Sequence, residues 1–247
     1  MPKHSLSRFL FEFGGAIFIL VMFVLLLLPV LSCGMEASRR ASCQKNLKQV
    51  GVACKMYSNE SRGELWPPRS PVSDNWMLDA RAIFPEYLSD LSVLVCPDSP
   101  FAFSGVFDSK SARSAGPDPN CVSSLFYNYT GVALCSDEEA WALFESQSDR
   151  WTPAAADADL NVPIWEGSGR VTCGGQGGIP VMWDRVSEYE EEFSHTPQGI
   201  NVLHMDGHVQ FVNYSVYNDS SWFPATRVAA ETFGSVLAKM PGQCYGD

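Results

Sequence analysis

Three residues near the C-terminus carry the metal-binding types at a two-residue period: His204, Asp206 and His208. Imidazole nitrogens and a carboxylate are ordinary ligands for zinc and related ions. A second constellation is acidic. Asp184, Glu188, Glu190, Glu191 and Glu192 crowd into nine positions, and clustered carboxylates are oxygen ligands suited to calcium. Eight cysteines are scattered singly, at 33, 43, 54, 96, 121, 135, 173 and 244, with no Cys-x-x-Cys pair. That spacing speaks against a zinc ribbon and for disulfides in an exported domain, with buried free thiols as the alternative. Catalytic signatures are missing: there is no Gly-x-Ser-x-Gly elbow, no His-Glu-x-x-His and no phosphate-binding loop. The sequence therefore reads as non-enzymatic.

The elements that hold these residues bear on each reading. Asp206-Gly207 stands between two apolar runs, Ile200 to His204 and Val209 to Asn213, and reads as a two-residue hairpin turn with positive φ at both central residues. In that register His204 pairs with Val209, and Met205 with His208. His204 and His208 then point to opposite faces, which favours a structural turn over a metal site. Ile200, Val202, His204, Val209 and Phe211 would share the core face. The acidic run reads as a solvated loop, with calcium as the one cofactor alternative. Leu125 to Val132 and Ile179 to Trp183 read as strands, and so does the short run Val93 to Cys96. Ser136 with Glu139 forms a capping box ahead of a surface helix to Ser148. Asp79 to Ser89 reads as a short helix interrupted at Pro85, and Thr226 to Met240 as a C-terminal helix.

The N-terminal quarter is different in kind. Phe13 to Leu31 holds no charged side chain. At about 1.5 Å per helical residue it is roughly long enough to cross a hydrocarbon core of about 30 Å. Glu12 sits at the start of this run, where a bare carboxylate is costly. Pro29, 17 residues later, should kink or locally melt a helix. Beyond it, Cys43, Leu47, Val50, Cys54 and Tyr57 follow at steps of 4, 3, 4 and 3, one stripe of an amphipathic helix. A membrane rod that continues as a one-sided packing surface is an assembly device.

These residues carry a family resemblance. An apolar helix with a Glu near its start, a Pro 17 residues on and an amphipathic continuation resembles the N-terminus of type IV prepilins and type II secretion pseudopilins. Cys43, Asn46, Leu47, Lys48 and Gln49, then Tyr57, Gly63 and Pro67, look like one subgroup of those proteins. That subgroup ends in a His followed by an Asp-Gly-His turn, here His195 with Asp206, Gly207 and His208. Ser7 and Arg8 stand where the family's processing site usually has Gly and Phe.

The resemblance implies an α+β fold, a long N-terminal helix packed on an antiparallel β-sheet. It divides the chain into a leader (1–8), a transmembrane helix (9–31), an amphipathic stalk helix (32–62) and an extracytoplasmic α+β domain (63–247). It places the chain once across a bacterial inner membrane, with the domain in the periplasm or outside the cell. The implied partners are other pseudopilin subunits, secretion-assembly proteins and membrane lipid. Glu12 and Pro29 would serve assembly. Cys43 and Cys96, both in family-like motifs, become the preferred disulfide.

Charge fits this division. The net charge is −11, but residues 1–62 hold 8 Lys+Arg against 3 Asp+Glu, and the remainder holds 9 against 25. So acidic a domain argues against nucleic acid as a partner. One rival reading comes from Val30-Leu31-Ser32-Cys33, which resembles a lipoprotein cleavage box. Cleavage before Cys33 would leave a lipid-anchored envelope domain that binds a ligand or partner.

Overall fold

A computed structural model describes residues 4–61, 65–72, 74–109, 117–148, 176–187, 189, 192–195, 199–214, 222–234 and 244. The chain separates into two units, Met1–Arg39 and Arg40–Asp247. One helix, α1 (His4–Glu60), contributes to both. It is helical through position 29, so the local melting expected at Pro29 is not found. One missing hydrogen bond does not break a helix flanked on both sides by apolar helix formers.

In the first unit every large apolar side chain described between Phe13 and Leu28 is exposed, from 39% at Leu27 to 69% at Ile19. Among the described residues no helix is long and apolar enough to cross a membrane. The span expected over 9–31 includes side chains at 9–12 and 29–31 that lie outside the described residues, as do those of Glu12, Pro29 and Cys33.

The second unit is α+β. Its sheet runs in the order β1 (Tyr127–Tyr129), β2 (Pro180–Asp184), β3 (Gly199–His204) and β4 (Val209–Asn213), with every neighbour antiparallel. Both faces are covered, so β3 is buried along nearly its whole length and has lost the simple in–out alternation of a half-buried strand. On one face lies the stalk part of α1. Cys43, Leu47, Val50 and Cys54 are at most 1% exposed and Tyr57 packs beside them, which follows from their helical spacing. They meet Met182 and Leu203 of the sheet. Gly51 faces Leu203 closely: a Cβ there would lie 2.9 Å from a Leu203 methyl.

The other face packs Trp183, Ile200 and Val202 against Trp76, Ala229 and Phe233. Ala229 closes the single α-turn α4 (Arg227–Ala229), and Phe233 lies in the π-turn Ala230–Gly234 that follows. Thr226 caps α4 by accepting from Ala229 N, and its hydroxyl donates to Asp137 at the start of α3 (Asp137–Ser148). The rest of the expected C-terminal helix, 235–240, lies outside the described residues. α3 begins as the capping box predicts, with Ser136 Oγ accepting from Glu139 N. The Glu139 carboxylate, however, takes the N–H of Cys135 instead of that of Ser136.

Two expectations need correction. Val93 to Cys96 is not a strand: after the short helix α2 (Ala80–Ile83), Leu91–Leu94 is a 3₁₀ turn. Its Asp90 cap accepts both the backbone N–H and the hydroxyl of Ser92, which curls the chain before an apolar run so short can pair. The hairpin is also one residue longer at its turn than the sequence suggests. Gly207 N donates to His204 O, and His204 N to His208 O, leaving Met205, Asp206 and Gly207 as a three-residue loop. Only Gly207 takes positive φ (+94°) there; Asp206 does not. Leu203 therefore pairs with Val209, Asn201 with Phe211 and Ile200 with Val212. The extra loop residue turns β4 over, so Val209 and Phe211 lie on the face opposite Ile200 and Val202.

Candidate functional site

The stalk face of the sheet carries a group of buried polar residues. Cys43 comes from α1, and Cys96 follows the Leu91–Leu94 turn; the two are disulfide-bonded. Asp184 ends β2, and His195 lies in the segment entering β3. All four side chains are fully buried. His195 is held at both nitrogens, with Nδ1 3.0 Å from Asp98 Oδ2 and Nε2 3.1 Å from Asp184 Oδ2. The same Asp184 oxygen accepts from the backbone N–H of Asn201 (2.7 Å) and its side-chain amide (2.8 Å). Cys96 Sγ lies 3.8 Å from His195 Nε2. Asn46, one turn along from Cys43, donates to the carbonyl of Val95 next to Cys96 (3.0 Å). Stalk, loop and sheet are thus joined at one place by a covalent bond and a hydrogen-bond network.

Electrostatics follows from this packing. Burial alone would lower the pKa of His195, but the hydrogen bonds and charges of Asp184 and then Asp98 outweigh it and raise the value above the usual 6.5. Tyr127, beside Asp184, is pushed well above its ordinary range by burial and by that carboxylate. The imidazole between two carboxylates has the components of an acid–base site. With His195 and Asp184 fully buried, these contacts tie the loop, the end of β2 and the segment before β3 together.

Of the motif residues, the structure brings together Cys43, Asn46, Leu47 and His195. Lys48 and Gln49 stay exposed on α1. Pro67 offers its carbonyl to the Tyr129 hydroxyl (2.6 Å), and Gly63 lies outside the described residues. Asp206 and Gly207 lie in the hairpin loop, and His208 follows it, paired with His204. Lys55 of α1 reaches that turn and donates to the Asp206 carbonyl (2.9 Å).

His204 and His208 do not point apart. Their rings stack 4.2 Å apart and 4° from parallel, because the longer turn puts them in the same rung of the hairpin. Asp206 Oδ1 accepts from His208 N (2.9 Å) and contacts His208 Nδ1 (2.6 Å). His204 is lowered to about 4, by burial first and then by the charge of His208.

The acidic-loop reading of Asp184 is overturned. It ends β2, buried among Asn201, His195 and Tyr127, because the apolar run before it extends the strand through position 184. Glu192 pairs with Arg185 (3.1 Å) and accepts from Ser187 Oγ (2.7 Å). Glu188, Glu190 and Glu191 lie outside the described residues.

Asp98 was not singled out from sequence, and Asn201 only as the start of the Asn-Val-Leu run that follows the motif histidine. The signal for Asn201 was present: a polar residue inside the apolar run Ile200 to Leu203. Asp98, 97 positions from its histidine, gave none. Among the described residues, Cys43, Cys96, Asp184 and His195 also form a group of metal-ligand types whose donor atoms lie within 4.8 Å of one another. A second disulfide joins Cys121 to Cys244, Cys135 is disulfide-bonded, and Cys54 is a buried free thiol.

Residues 34–74, which include Cys43, Asn46 and the buried stripe, match a family described as "Protein of unknown function (DUF1559)". No curated protein and no solved structure matches the chain. Similarity to known proteins therefore rests on the stalk helix and the loop after it.

Proposed function

We propose that this chain is a non-catalytic, pseudopilin-like structural subunit of a type II secretion or type IV pilus-like assembly. The first half of α1 lies in a bacterial cytoplasmic membrane, and residues 63–247 face the periplasm or the exterior. The carrying observation is the change of character along α1. From Phe13 to Leu28 its apolar side chains are exposed, whereas from Cys43 to Cys54 a single stripe is buried in a folded domain. A helix that is apolar all round needs lipid or other helices as its surroundings. A domain built around the continuation of that helix suits a subunit that packs by its stem. The family matched over 34–74 is associated with pilin- and pseudopilin-like proteins, which supports the same reading. Glu12 would pair with a positive group of a neighbouring subunit.

Photo-crosslinking residues placed at Leu20 and Val24 in membranes test this. Crosslinks between copies, or to other stem-bearing subunits, are expected, and Glu12→Ala should abolish them while the chain stays in the membrane. Crosslinks to lipid alone would make α1 a simple anchor. A mature chain beginning at a lipid-modified Cys33 would replace the proposal with the lipoprotein reading.

A further inference from the structure

A disulfide needs no imidazole or carboxylate beside it, yet Cys43–Cys96 has both, fully buried. We propose that when this disulfide is reduced, Cys43, Cys96, His195 and Asp184 form a closed structural site for a zinc-class divalent cation.

The geometry supports it. With zinc–sulfur distances of about 2.3 Å and zinc–nitrogen or zinc–oxygen distances of about 2.0–2.1 Å, the edges of a ligand tetrahedron come to roughly 3.3–3.8 Å. His195 Nε2 to Asp184 Oδ2 is 3.1 Å and Cys96 Sγ to His195 Nε2 is 3.8 Å. All four donor atoms lie within 4.8 Å of one another, so the bonded sulfurs must part and the widest donor pairs must close by up to about 1 Å. The supporting hydrogen bonds already exist. Asp98 takes the Nδ1 side of His195, so Nε2, now beside Asp184 Oδ2 and 3.2 Å from the Asn201 amide nitrogen, is the nitrogen that faces the site, while Asn201 orients the carboxylate of Asp184 through two donors. Independently, Asp184 Oδ1 is buried and has no hydrogen-bond partner among the described residues, so this carboxylate has unused ligand capacity. Two thiolates, one imidazole and one carboxylate suit Zn²⁺ better than the hard cations. With every donor buried, no position is left for a reacting water, which makes the site structural.

The chemistry balances with a dithiol as reductant. It delivers two electrons and two protons to the sulfur–sulfur bond, becomes a disulfide itself, and leaves two thiols. Metal binding then releases both thiol protons, and the proton on His195 Nε2 when that ring is charged. The stalk would thus be clamped to the domain by a disulfide under oxidising conditions and by a metal under reducing ones. This inference does not depend on the assembly reading.

The test uses the purified full-length chain in detergent, reduced anaerobically with a phosphine and water (the phosphine leaves as its oxide), then given Co²⁺ alone. The reduced chain should take up one Co²⁺ with thiolate charge-transfer and tetrahedral ligand-field bands, displaced by Zn²⁺. The oxidised chain should show none. Cys43→Ser with Cys96→Ser should remove the bands although Cys54, Cys121, Cys135 and Cys244 remain, and Asp98→Asn should weaken binding about 10–100-fold. In the unaltered reduced chain, Zn²⁺ should protect Cys43 and Cys96 from alkylation, which locates the site even where the serine variant fails to fold. No thiolate bands, or unchanged alkylation of these two cysteines under Zn²⁺, would overturn the proposal.

Discussion

His195 lies before β3 and the stacked pair His204 and His208 at its far end, and each place has an aspartate at hydrogen-bond distance from a ring, yet His195 and His204 are in opposite states. His195 is buried between Asp98 and Asp184 and favours its charged form. His204 is half-buried, stacked on His208 and without a hydrogen-bond partner at either nitrogen among the described residues; burial and then the charge of His208 keep it neutral down to about pH 4. The difference lies in which partners face the ring. Two carboxylates at hydrogen-bond distance reverse the effect of burial; a neighbouring imidazole reinforces it. The first arrangement fixes the position of the stalk helix. The second finishes a hairpin.

The largest effect that separates them should come from His195→Ala, which removes the ring bridging Asp98 to the fully buried Asp184. A loss of about 3–5 kcal/mol is expected, against about 0.5 kcal/mol or less for His208→Ala, whose side chain is 44% exposed. Urea midpoints of the two variants check this, and equal losses would break the comparison. Next in size, Gly207→Val should cost on the order of 1–3 kcal/mol, because φ of +94° is closed to a β-branched residue. The same denaturation series reads it, and a silent Gly207→Val would mean the loop takes another shape.

The pH dependence sharpens the contrast further. The folded pKa of His195 is raised, so the stability it supplies is complete below about 6.5, the unfolded value, and is lost as pH rises through the folded value. The folded pKa of His204 is depressed. Between about 6.5 and about 4 the unfolded chain binds a proton that the native chain refuses, so stability falls there as pH drops. Melting curves across pH should show His204→Gln flattening the acid limb and His195→Gln flattening the alkaline one. Slopes of the same sign would contradict the assignment. The smallest effect is expected from Asp206→Asn, within about 0.5 kcal/mol, because its partner His208 is exposed and Asn keeps the turn. A chelator-sensitive loss of stability in that variant would instead indicate a metal at the turn.

The sequence carried these two regions unequally. The stripe from Cys43 to Tyr57 was legible because a helix converts spacing directly into a face. β2, β3 and β4 were legible as apolar runs, although the run Val93 to Cys96 is not a strand, and the hairpin was legible from Asp206-Gly207. The turn length was not, since Asp-Gly serves two- and three-residue loops alike, and one residue decides which face β4 presents. The joining of Cys43 to Cys96 was legible only through motif resemblance. The network around His195 was hidden, because its partners lie 97 positions before it and 11 before it in the chain, and nothing local records that they meet. Asp184 misled for the same reason: its sequence neighbours are acidic, while its neighbours in space are Asn201, His195 and Tyr127.

The central claim is that the stalk helix is locked to the domain at Cys43, and peptide mapping tests it most directly. The full chain is taken from native membranes, alkylated at once and digested without reductant. A linked peptide joining Cys43 to Cys96 is the predicted result, with Cys54 recovered as the free thiol. Recovery of both Cys43 and Cys96 as alkylated thiols would contradict the oxidised clamp, and with it the proposed placement of the domain outside the cytoplasm.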